Sequence, residues 1–111
     1  MILIIPSQVE TILNASSVVA VGDTYAMPIR PCVIGVQFTV DVAAGNFTVL
    51  LQISLDNVNW FTIKSMTQAD LVGTGYYTSL AGPYSGMFIR ANPTVNSAPH
   101  AITIKVLLKA V

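Results

Sequence analysis

The sequence predicts an all-β chain: a single antiparallel β-sandwich, jelly-roll or Ig-like, of seven to eight short strands. Three observations predict it. Apolar and polar residues alternate with a period of two in several segments, which is the pattern of half-buried strands. Val, Ile, Thr, Phe and Tyr dominate those segments, as strand packing prefers. Clusters of turn-forming residues interrupt them about every ten positions, the spacing of a sandwich or barrel. With 111 residues there is room for one domain, 1–111, and not for a second.

From the N-terminus, Met1, Ile2, Leu3, Ile4 and Ile5 precede Pro6. This apolar stretch reads either as an N-terminal arm over 1–6, docking on a neighbouring subunit through residues such as Ile2 and Ile4, or as an edge strand. Short strands are expected at 9–13, 17–21 and 24–30, with Gly22 and Asp23 turning the chain between the last two. In 32–41 the residues Cys32, Ile34, Val36, Phe38 and Val40 share one face, and Val33, Gly35, Gln37, Thr39 and Asp41 the other. After a turn at 43–46, the segment 46–55 turns Phe47, Val49, Leu51, Ile53 and Leu55 inward. The turn at 56–59 leads into a strand at 59–66. Residues 67–72 have some helical promise over a very short stretch. Gly73, Thr74 and Gly75 form a turn, and strands follow at 75–80, 86–91 and 101–109. Turns at 81–83 and 92–99 separate these last three, and one or two of the segments merge to give the expected strand number. In the final strand Ile102, Ile104, Val106 and Leu108 oppose Thr103, Lys105, Leu107 and Lys109.

Charge is scarce: five Lys and Arg, five Asp and Glu, one His, net zero, in a chain 53% hydrophobic. A disordered chain has the reverse balance. Five scattered cations make no basic patch, so no nucleic-acid partner is expected. One Cys excludes a disulfide scaffold. No apolar run reaches the roughly 18 residues of a spanning helix, and the opening lacks the basic region of a signal peptide, so neither a membrane partner nor a leader is expected. A folded monomer of this size exposes roughly 5,900 Å², or about 600 Å² per charge, against about 200 Å² at ordinary charge content. Contiguous apolar patches above about 300–600 Å² are unusual on monomers. The balance favours a subunit buried in an assembly.

No catalytic, cofactor or metal site is expected. His100 is the sole histidine, and the acidic residues Glu10, Asp23, Asp41, Asp56 and Asp70 fall at separate strand ends or loops. Cys32 is in phase with Ile34, Val36 and Phe38 and reads as a small buried hydrophobe. Gly73 to Gly75 lacks the Lys, the third Gly and the helix of a phosphate loop. Tyr25, Trp60, Tyr76, Tyr77 and Tyr84 have two readings, as core or interface packing or as a sugar-stacking platform, and Trp60 follows a turn where sandwich cores often take a large ring. The most distinctive string is Ser54-Leu55-Asp56-Asn57-Val58-Asn59-Trp60. Asp56 can cap its own turn and Asn57 or Asn59 can accept a left-handed conformation, making a hairpin. Asp56, Asn57, Trp60, Tyr76, Tyr77 and Tyr84, with Ile2 and Ile4, are the candidate turn and interface residues.

The pattern Ser-x-Asp-(Gly or Asn)-x-x-Trp at a hairpin is similar to that of discoidin-like and other jelly-roll sandwiches, with Asn57 in place of the more usual Gly. The whole layout from about residue 10 to 110 resembles small bacteriophage virion proteins. It runs through Thr-Ile-Leu-Asn at 11–14, Val-Ala-Val-Gly at 19–22, the 54–60 hairpin, Gly-Pro-Tyr…Phe-Ile-Arg within 82–90, and Ile-Thr-Ile-Lys-Val-Leu-Leu at 102–108. This resemblance implies a head decoration (cement) protein located in the virion. Such a protein is non-enzymatic, forms homo-oligomers with a trimer favoured, and binds the major capsid protein or another virion protein. The alternative is a tail- or fibre-associated module touching host surface glycans.

Overall fold

Each alternating segment becomes a strand whose apolar positions face one shared interior. The computed structural model describes residues 7–16, 22–27, 32–41, 46–84, 87–96 and 101–110, with backbone alone at 7, 8, 15, 16, 32, 81–83 and 110. The strands are β1 Ser7–Ser16, β2 Tyr25–Ala26, β3 Cys32–Val40, β4 Phe47–Ser54, β5 Phe61–Thr67, β6 Gly75–Tyr84, β7 Phe88–Asn96 and β8 Ile102–Ala110. A 3-10 turn, Gln68–Asp70, takes up the helical promise after β5. The expected strand at 17–21, and the arm with Ile2 and Ile4, lie outside the described residues, as do 28–30 and His100.

Two four-stranded sheets form, in the orders β1-β8-β3-β6 and β2-β7-β4-β5. Every pairing is antiparallel. The pairs β1·β8, β2·β7, β3·β6 and β4·β5 nest inside one another and alternate between the sheets. A long hairpin rolled onto itself has this order, so the sandwich is a jelly roll and not an Ig-like one.

Register explains the core. Along β3 and β8, Ile34 faces Leu108, Val36 faces Val106, Phe38 faces Ile104 and Val40 faces Ile102, and all eight are buried. From the second sheet Phe47, Val49, Leu51, Ile89 and Ala91 meet them, each fully buried. Phe38 and Phe47, one from each sheet, stack with ring centroids 5.7 Å apart and planes 29° from parallel. This offset geometry adds to the area that the rings bury.

Three expected features differ. Leu55, expected to face inward, is exposed, because β4 ends at Ser54 and the turn has already begun. Residues 81–83 belong to β6: the register moves from Cys32 opposite Tyr84 to Ile34 opposite Leu80, so the extra residues form a bulge. On an edge strand a bulge tolerates Pro83, which has no N–H to give. Likewise β7 continues to Asn96, through a buried Pro93 at a register shift against β4. Its other neighbour, β2, pairs only with Ile89 and Phe88, so the missing N–H of Pro93 falls where no described strand needs it.

Candidate functional site

The β4–β5 hairpin is organised by one carboxylate. Asp56 Oδ1 accepts the backbone N–H groups of Val58 at 2.9 Å and Asn59 at 2.8 Å, together with the Ser54 hydroxyl at 2.9 Å. Its Oδ2 accepts from Asn59 Nδ2 at 2.8 Å. Asn57 takes the left-handed conformation, φ 60°, which Asn tolerates better than most residues. These donors favour the ionised form, backbone N–H groups first, and hold the Asp56 carboxyl well below the usual carboxylate range. The turn is therefore closed by its own side chains: Asp56 caps it, Asn57 and not Asn59 takes the left-handed position, and the Ser54 hydroxyl adds a bond that sequence reasoning did not assign. Around it stand Leu55, Val58 and Phe61, which are 73, 75 and 65% exposed.

Trp60 is not part of the core between the sheets. It is half-buried, and the Arg90 guanidinium carbon lies 4.0 Å from its ring centroid. In β7 the neighbours Ile89 and Ala91 face inward, so alternation turns Arg90 to the outer face of the second sheet. There Arg90, Gln52 and Thr62 lie side by side across three strands. Arg90 Nε donates to Gln52 Oε1 at 3.0 Å, and Gln52 Nε2 donates to Thr62 Oγ1 at 3.3 Å. Gln52, 8% exposed, is thus satisfied at both ends. Burial pulls the Arg90 pKa down, yet a guanidinium keeps its charge at any ordinary pH.

The outer face of the first sheet carries a groove of about 210 Å³, lined by Val9, Gly35, Gln37, Tyr77, Lys105 and Leu107. Val9 and Gly35 both pair with Leu107, and Tyr77 pairs with Gln37. Gly35 forms the floor, because it has no side chain between Leu107 and the Tyr77 ring. Val9 and Tyr77 are 64 and 65% exposed.

The aromatic candidates do not gather. Tyr76 and Tyr84 are half-buried and pack against the core, as does Tyr25, whose hydroxyl donates to the Thr11 carbonyl at 3.1 Å. The Lys64 ammonium, on edge strand β5, sits 5.7 Å from the Tyr76 ring centroid on edge strand β6. Trp60 serves the second sheet and Tyr77 the first. A five-ring platform is therefore not formed. Sequence reasoning missed Arg90 and Gln52, which are 38 positions apart and meet only through strand pairing. Among the described residues no three His, Cys, Asp or Glu side chains group as metal ligands would. Comparison with family models, with curated proteins and with solved structures returns no match for this chain.

Proposed function

We propose that the chain is a non-enzymatic structural subunit of a bacteriophage virion: a decoration (cement) protein that binds the outer surface of the head shell and reinforces it, acting as a homotrimer. The observation that carries this reading is the chemistry of the exposed surface. Val9, Leu55, Val58, Phe61, Val72 and Tyr77 are 64 to 87% exposed, in a chain with only five charges of each sign. Such side chains gain when a protein partner covers them, at roughly 25 cal/mol per Å² of apolar surface. The jelly-roll order is compatible with the reading without selecting it, since one architecture hosts many functions. The mechanism is passive: a bound subunit stabilises the shell by RT ln(1 + [L]/Kd), roughly 4 kcal/mol at a thousandfold excess over Kd.

The second reading, a tail- or fibre-associated module contacting glycans, now rests on Trp60 and Tyr77 singly, because the other three rings pack against the core. Immunogold labelling of virions that carry the gene separates the two. Label over the heads is the expected result. Label confined to tails transfers the chain to the second reading, and unlabelled virions overturn both.

A further inference from the structure

We infer that Arg90, held on Trp60 and aimed by Gln52, is a docking point for a carboxylate side chain of a partner protein. It rests on the virion reading for the partner's identity as a virion protein, and on the geometry alone for the chemistry.

Three features lead there. The guanidinium is pre-organised: one face is stacked 4.0 Å over the Trp60 ring, and Nε–H is directed at Gln52 Oε1 at 3.0 Å. Gln52 is itself buried and anchored to Thr62, so little side-chain freedom remains to be lost on binding. The second feature is an absent partner. All five acidic residues of the chain lie among the described residues, and none of them pairs with Arg90. Its Nη donors have no partner among the described residues, and their fork matches the two oxygens of a carboxylate. A half-buried cation with no counter-ion among the described residues is stabilised when a partner supplies one.

The third feature is the neighbourhood, which selects the source of the anion. Among the described cations, Lys64 is committed to Tyr76, while Lys105 lines the groove on the opposite sheet and Lys109 belongs to that sheet through β8. Standing alone among the described cations, Arg90 suits one carboxylate and not a polyanion, which needs several cations together. The guanidinium has the ring of Trp60 beside it, 4.0 Å from carbon to centroid. A ring packed against a charge pair shields it from water on that side, and the virion reading makes a protein the source of the carboxylate. An Arg held beside a Trp has the composition of an interface anchor.

The test follows the Arg90 Nε–Hε resonance by NMR in the intact chain. Three probes are titrated: a capped Leu-Glu-Leu tripeptide, its Leu-Gln-Leu counterpart, and N-acetylneuraminic acid. The expected result is a saturable shift with the Glu peptide, at an affinity at least about tenfold above that of the Gln peptide, and weaker binding of the sugar. Equal response to the two peptides, no response, or tighter binding of the sugar overturns the inference, the last in favour of a glycan. In parallel, wild type and Arg90→Lys are co-sedimented with undecorated shells. Lys keeps the charge and loses the fork, so binding should weaken at least about tenfold. Undiminished binding of the variant overturns the inference and leaves the virion reading standing. Failure of the wild type to bind shells overturns that reading, while the peptide titration still decides the role of Arg90.

Discussion

Tyr77 lies across Gly35: a side-chain carbon built on Gly35 would meet the Tyr77 hydroxyl at 3.0 Å and the Leu107 Cβ at 3.5 Å. Gly22 is crowded differently, since a methyl there would be driven into the backbone carbonyl of Ile12. The hydroxyl end of an exposed Tyr moves readily, whereas a strand carbonyl does not. Gly35→Ala should therefore leave stability within about 1 kcal/mol, the closer contact being offset by the better strand propensity of Ala. Gly22→Ala should cost about 1–3 kcal/mol, the usual range for overpacking. Urea unfolding of the two variants checks the difference, and equal midpoints would refute the placement of Gly22.

Because Trp60 stacks on Arg90 outside the core, Trp60→Ala should destabilise by about 1–2 kcal/mol and not by the roughly 3–5 kcal/mol of a core Trp. A double-mutant cycle with Arg90→Ala should return a coupling of about 0.5–1 kcal/mol. A coupling near zero would mean that the two side chains do not meet in solution.

Asp56 predicts acid sensitivity with a definite sign. Its carboxyl titrates lower in the folded chain than in the unfolded one, because four hydrogen bonds favour the ionised form. The unfolded chain therefore binds the proton first as pH falls. The contribution of Asp56 is complete above the unfolded carboxylate value of about 3.9 and is lost as pH drops below it towards the folded value. Thermal melts between about pH 6 and pH 2 should show this loss. Asp56→Ala should melt lower at neutral pH and fall less steeply in acid. An unchanged acid slope would remove Asp56 from the account.

If the chain self-associates through its uncharged surface, its solution mass by light scattering should exceed the monomer's and persist at about 1 M NaCl, where screening weakens only charged contacts. Tyr77→Ala, an outward-facing change, should keep stability within about 0.5 kcal/mol while shifting the mass towards monomer. A clean monomer at low and high salt contradicts the trimer, and an oligomer indifferent to Tyr77 places the contact elsewhere.

The burial of Ile34, Val36 and Phe38 and of Ile102, Ile104 and Val106 was legible in the sequence, because extended backbone sends successive side chains to opposite faces. So was the 54–60 hairpin, whose capping groups all lie within a few residues of one another. These are local properties. The strand order is not: β1 pairs with β8 across almost the whole chain, and nothing in either segment names the other. Nor could the clusters at 81–83 and 92–96 be told from turns, since a bulge exists only against the register of a partner strand. Trp60 shows the same limit. A ring after a turn packs inward or outward according to what stands beside it, and it is Arg90, brought next to Gln52 by the β4–β7 pairing, that receives it on the outer face. Faces and turns are set by neighbours in sequence, whereas partners across strands are set by closure of the two sheets around one core. The interaction chemistry of this protein belongs to the second kind.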